Sequence, residues 1–158
     1  MNIFPTKEQK FKLIDNQVET LNRLNRRTEK SENLTSKHTD KSFRGIINGN
    51  EFKIISSVIG KGAFCVMTGE INSDNGHVKI EIHKIFRVLL SIFLLFPIFG
   101  FVAITVSGTE EFSPILILVA IGQILIIRYA FIGLAFKFLS KESLNKLRDV
   151  LDFEWIKN

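Results

Sequence analysis

A chain of 158 residues with 21 Lys+Arg against 16 Asp+Glu, a net charge of +5, has length for about one domain. Its 46% hydrophobic content excludes an intrinsically disordered chain, and a single cysteine excludes a disulfide framework or a cysteine-cluster metal site. The apolar residues are bunched: the 49 residues from Val88 to Phe136 hold three charges, Glu110, Glu111 and Arg128, which argues against a purely soluble globular protein.

The first ten residues contain no apolar run of the kind a secretory signal needs. Asn2 stands where myristoylation requires glycine, and the C-terminus has no prenylation cysteine. Membrane attachment is therefore expected from internal segments.

Residues 1–30 are expected to form an amphipathic N-terminal segment, helical over 6–28. Phe11, Ile14, Val18 and Leu21 recur at spacings of three and four, with Leu24 extending the stripe. Thr6 and Gln9 fit a capping box. Three uses of this helix compete: packing on the chain's own sheet, a short coiled coil, or lying on an anionic membrane surface. Residues 31–42 are polar and without period, and read as a flexible linker.

Residues 43–84 read as β. Phe43–Ile47 and Glu51–Val58 flank Asn48-Gly49-Asn50, a strong hairpin signal. Gly60-Lys61-Gly62 marks the next turn, and Ala63–Ile71 a third strand. Ser73-Asp74-Asn75-Gly76 is expected to turn into His77–His83, where Val78, Ile80 and Ile82 alternate with polar residues. The expectation is a four-stranded antiparallel meander. Forty-two residues make a marginal core alone, so a helix or a membrane surface is expected to cover it.

Residues 85–138 read as a two-helix transmembrane hairpin. Ile85–Val106 and Pro114–Phe138 each exceed the roughly 20 residues needed to cross a hydrocarbon core of about 30 Å. The 14 Leu, Ile, Phe and Val residues between Val88 and Val106 are worth about −4 to −8 kcal/mol on insertion. Arg128 costs about +3 kcal/mol in the second segment. Lys and Arg flank the pair (Lys79, Lys84, Arg87, Lys137, Lys141, Lys146, Arg148), whereas the loop Ser107–Ser113 has none and carries Glu110 and Glu111. The positive-inside rule then places both termini in the cytoplasm. Residues 139–158 read as a C-terminal amphipathic helix with Ser140 as N-cap and Leu144, Leu147 and Leu151 as its stripe. Phe153 and Trp155 are candidates either to anchor at headgroups or to close over the sheet.

The fold class expected is thus an α+β membrane protein: the meander, the transmembrane hairpin and flanking amphipathic helices. Catalytic chemistry is not indicated. His77 and His83 stand six residues apart on one strand, about 20 Å, too far to share a metal. Cys65 lies in an expected strand with no base placed near it, and Gly60-x-Gly62 lacks the rest of a phosphate loop. No cofactor motif and no nucleic-acid motif is found. The polar groups within the spans are the site candidates: Arg128, Gln123, Ser91 and Pro97. Proline frees the carbonyl of Phe93, four residues back, and Arg128 falls at about the same depth. Three destinations for Arg128 stay open: that carbonyl with Ser91, the headgroups by snorkelling, or a partner subunit or pore.

The stretch from Phe43 to Ile54, then Gly69-Glu70-Ile71, then the strand ending at His83, followed by the two apolar segments, resembles a family of small bacterial membrane proteins of unknown activity. The resemblance covers most of 43–138. It implies a β-rich cytoplasmic region, a two-helix anchor and a short amphipathic tail, and it supplies no catalytic residue. The function expected is a non-enzymatic bacterial inner-membrane protein whose partners are membrane lipids and a protein or a second copy of itself. The rival is a subunit of a transporter or channel assembly using Arg128 and Gln123.

Overall fold

The computed structural model describes residues 3–35, 37–58, 62, 64–107 and 114–156. They form two units: residues 1–83 with 136–158, and residues 84–135.

The first unit opens with a strand, β1 (Thr6–Leu13), where a helix was expected. Gln9, Phe11 and Leu13 alternate inward, and β1 pairs antiparallel with the strand β6 (Asn75–Ile82) through Phe11↔Gly76 and Gln9↔Val78. The helical spacing of Phe11, Ile14, Val18 and Leu21 misled because Ile14 and Val18 are exposed, at 58% and 68%. The helix α1 is shorter, Gln17–Arg27. Its cap is Asn16, not Thr6: the Asn16 side chain accepts from the backbone N–H of Glu19 at 2.8 Å. Of the three uses open to this helix, it packs on the sheet, burying Thr20 and Leu24 while Gln17 Nε2 donates to the carbonyl of Ile71 at 2.6 Å.

The chain then forms β2 (Thr28–Lys30), β3 (Phe43–Asn48), β4 (Glu51–Ser56) and β5 (Cys65–Ile71) before β6. The expected meander β3-β4-β5-β6 is therefore only the middle of the sheet. The whole is a mixed seven-stranded sheet, ordered β2-β3-β4-β5-β6-β1-β7, with β7 at Phe153–Trp155. The pair β2–β3 is parallel and every other pair antiparallel. Sequence pattern misses β2 and β7 because three residues carry no readable period. Both are edge strands, and short edges limit pairing with other chains.

Residues 31–35 and 37–42 have no regular structure but are tied down. The buried Arg44 donates from Nη1 to the carbonyl of Thr35 at 2.6 Å and from Nη2 to Ser31 Oγ at 3.2 Å, and its Nε lies 3.5 Å from Glu29 Oε1. Ser57 Oγ reaches the carbonyls of Lys41 and Ser42 at 2.6 and 3.0 Å.

Gly49, at φ +60, makes the expected β3–β4 turn. Asn75 and Gly76, expected in a turn, are the first two residues of β6; the turn falls just before, where Asn72 N–H donates to the carbonyl of Asn75 at 2.7 Å. Gly76 is demanded by packing: a Cβ there would lie 2.3 Å from Phe11 Cζ. Gly60 and Lys61 of the other expected turn, and Ala63 of the expected third strand, lie outside the described residues.

One face of the sheet is apolar and buried: Phe43, Phe52, Ile54, Met67, Val78, Ile80, Ile82 and Phe11. The other carries Glu51, Lys53, Thr68, His77 and Lys10 at exposed positions. The apolar face is covered by α1 and by the C-terminal part of a long second helix. That helix runs Pro114–Leu151. It comprises α3 (Pro114–Leu125), a π-helical segment (Ile126–Gly133) and α4 (Leu134–Leu151). Phe136, Ser140, Leu144, Leu147 and Leu151 are buried, and Lys146 Nζ sits 5.7 Å from the Phe43 ring centroid. Ser140 is not an N-cap: it lies mid-helix, its hydroxyl donating to the carbonyl of Lys137 at 3.3 Å. The helix continues because no proline or glycine follows Gly133 to stop it before Leu151.

Asp152 then adopts φ 55, and β7 folds back on β1, pairing Phe11↔Trp155 and Leu13↔Phe153. Phe153 stacks on Phe11 at 4.2 Å between centroids and meets Trp155 edge-on at 4.6 Å. Both aromatics thus close over the sheet.

Replacing Gly76 with alanine must displace the Phe11 ring from this cluster. Overpacking of this kind costs about 1–3 kcal/mol. The expected outcome is a lower thermal midpoint for Gly76→Ala than for Gly122→Ala, whose added methyl meets no atom within 4 Å and whose backbone is helical. Far-UV circular dichroism of the full chain in detergent micelles reads this; equal midpoints would refute the packing role.

Candidate functional site

The second unit is built from α2 (Lys84–Ser107) and the chain from Pro114 to Ala135. A single residue, His83, separates β6 from α2. Both helices are long and apolar enough to cross a membrane, and only 6% of each apolar stretch is buried within the protein. That fraction separates them from core helices of a soluble protein, which bury their apolar sides. Phe96, Phe131 and Ile85 stand out at 66–71% exposure.

The helices meet at a shallow cleft of about 220 Å³. Phe96, Pro97, Gly100, Phe101 and Ile104 line it from α2, and Leu116, Val119, Ala120 and Gln123 from α3. Only residues 108–113 join the two helices, so the pairing runs antiparallel. Residues 108–113, the expected acidic loop, lie outside the described residues.

The four polar candidates divide. Pro97 and Gln123 come together at the cleft, and Pro97 is the buried residue of α2. Ser91 does not join them: its hydroxyl donates to the carbonyl of Arg87, one turn back in its own helix, at 2.8 Å. Arg128 is half-buried in the π-helical segment, its guanidinium 5.5 Å from the ring centroid of the adjacent Tyr129. Among the described residues no hydrogen bond joins Arg128 to the carbonyl of Phe93. Tyr129 and the π-helical stretch were missed by sequence reasoning. The stretch has no compositional mark, whereas an aromatic next to the lone intramembrane cation was a readable signal.

No family model matches this chain, and no curated protein or solved structure is similar to it by sequence or by fold.

The first unit offers a second cleft, of about 510 Å³, lined by Arg23, Arg26, Arg27, Asp40, Lys41 and Val150. Its cations are engaged locally. Arg23 pairs with Asp15 and lies 3.8 Å from Glu19 and 3.7 Å from Asp152, and Lys41 Nζ donates to the carbonyl of Arg26. Arg26 and Arg27 occupy the last turn of α1, where the helix dipole favours positive charge. Their positions are explained without a ligand. On the polar sheet face His77 is exposed, and among the described residues no three His, Cys, Asp or Glu side chains gather as a metal-ligand set.

Cys65 is fully buried on the apolar face of β5, and burial pushes its thiol up to about 12. A thiol so placed stays protonated and out of reach at neutral pH. The native full chain in detergent is expected to react with Ellman's reagent at pH 8 only after denaturant unfolds the sheet. Prompt stoichiometric reaction of the native protein would contradict that placement.

Proposed function

We propose that the chain is a non-enzymatic bacterial inner-membrane protein, anchored by a two-pass helical hairpin and presenting a small α+β module on the cytoplasmic side. One observation carries this reading. The seven-stranded sheet draws β1 to β6 from before the hairpin and β7 from after it, with α4 covering the same sheet. Residues 1–83 and 136–158 therefore have to share one aqueous compartment, which demands an even number of membrane crossings. Two helices with their apolar side chains exposed supply two crossings. The choice of side follows from charge. Lys84 and Arg87 open α2, and Lys137, Lys141, Lys146 and Arg148 follow the second span, whereas residues 107–113 contain two glutamates and no lysine or arginine.

The outward-facing polar surface of the sheet, with Glu51, Lys53, Thr68, His77 and Lys10, is the surface such an anchor would present to a protein partner or a second copy. Its mixed charge suits a protein surface rather than a nucleic acid, which selects a basic one.

Substituted-cysteine labelling in a Cys65→Ala background tests the topology. An impermeant maleimide applied to intact cells is expected to label a cysteine at position 110 and to leave cysteines at 61 and 141 unlabelled until the membrane is opened. Labelling at 61 or 141 without labelling at 110 would reverse the assignment. Release of the wild-type protein from membranes by alkaline carbonate would refute the anchor itself.

A further inference from the structure

Between Lys84 and Ser107, and between Pro114 and Ala135, there are three charged residues: Lys84, Arg87 and Arg128. All are cations, and neither stretch contains a carboxylate to meet them. The antiparallel pairing at the Pro97 cleft sets their depth. With only residues 108–113 between them, counting back equally along both helices brings Arg128 level with about residues 91–93. Arg87 is then about one turn nearer the helix ends, and Lys84 about one more. The three positive charges thus gather at the end of the hairpin remote from residues 108–113.

Arg128 stands deepest. Its guanidinium lies over the ring of Tyr129, the single tyrosine of the chain, and Tyr129 is itself exposed. Tyrosine concentrates at the depth where hydrocarbon gives way to headgroups. A guanidinium at that depth is too costly to leave without an anion or water. The bilayer holds one kind of anion there, the lipid phosphate. The planar guanidinium fork matches phosphate oxygens two at a time, as an ammonium does not. The π-helical turn that carries Arg128 and Tyr129 widens the helix locally, and such turns recur at functional sites.

We propose that Arg128, with Arg87 and Lys84, forms a binding site for the phosphate of an anionic glycerophospholipid, the acyl chains lying along the exposed apolar surface of the hairpin and Tyr129 against the glycerol region. This deepens the function proposed above and rests on the hairpin spanning the bilayer. Arg128 supplies the bidentate contact; the other two cations add the charge that favours an anionic over a zwitterionic headgroup.

The test uses the full chain reconstituted in vesicles of phosphatidylcholine containing 20% phosphatidylglycerol, by a chosen composition of about that value. Spin-labelled phosphatidylglycerol and phosphatidylcholine report which lipid the protein retains at its surface. The wild type is expected to prefer the anionic lipid, and Arg128→Gln to lower that preference about fivefold, the effect of one cation near an anionic surface. Arg128→Lys, which keeps the charge but loses the fork, should hold an intermediate preference, and Thr105→Val, whose hydroxyl bonds only to Phe101 of its own helix, should match the wild type. Helicity by circular dichroism checks that each variant is folded. A wild type that inserts but shows no preference, or an Arg128→Gln protein that keeps it, would overturn the proposal while leaving the anchor intact. Displacement of the bound lipid by inorganic phosphate in the millimolar range would overturn it too, reassigning the site to soluble anions. Failure of the wild type to resist carbonate extraction from the vesicles would instead bring down the membrane-spanning reading, and the lipid site with it.

Discussion

A sheet with one apolar face must cover that face, and in this protein neither flank of the hairpin carries enough chain to do it. Residues 1–83 bring six strands but only the 11-residue helix α1, which buries just Thr20 and Leu24. The rest of the cover comes from Phe136, Leu144, Leu147, Leu151 and Phe153. Burying five such side chains is worth about 7–15 kcal/mol at the usual rate per residue. That is as large as the whole net stability of an ordinary domain. The C-terminal flank is therefore not a tail appended to a finished module. It completes the core, and the arrangement of every other element answers to that need.

The helix from Pro114 to Leu151 meets the need without a break. A helix that stopped where the apolar residues end would leave four carbonyls without partners, and a second helix would begin with four unpaired N–H groups. Running through avoids both ends. The two halves differ in how their apolar residues are arranged. Between Pro114 and Leu125 the helix is apolar on all sides but for Gln123, and no residue is buried. In α4 the apolar residues narrow to the stripe of Leu144, Leu147 and Leu151. The π-helical segment falls between the halves.

The features that could be read from sequence are those with a local cause. The strands β3 to β6 show in their alternation and in Asn48-Gly49, and the hairpin in its unbroken apolar runs. What could not be read depends on distant residues. Phe11 and Leu13 look equally at home on a helix or a strand until β6 and β7 are present to pair with β1. Gly76 looks like a turn residue until Phe11 is seen against it. Arg44 looks like an exposed strand residue, yet it is buried, with its guanidinium bonded to Thr35 and Ser31. Of the site candidates, spacing identified Arg128 and Gln123 as exceptional, and the pairing of Gln123 with Pro97 needed the helices side by side. The ring under the Arg128 guanidinium belongs to its sequence neighbour, Tyr129, a signal that needed no distant residue.

The position of β1 between β6 and β7 bears on how the protein is made. On a ribosome, β1 through β6 emerge first and can pair, but one edge of β1 and much of the apolar face have no cover until residues 136–155 have been synthesised. In the proposed topology that stretch returns to the same compartment only after both spans have been inserted. A nascent chain whose second span failed to cross would strand α4 and β7 on the opposite side. Its sheet would keep Phe11, Val78 and Ile80 open to water. Completion of the soluble fold thus reports on correct membrane insertion, and a misinserted molecule presents the hydrophobic surface by which cellular proteases and chaperones recognise their clients.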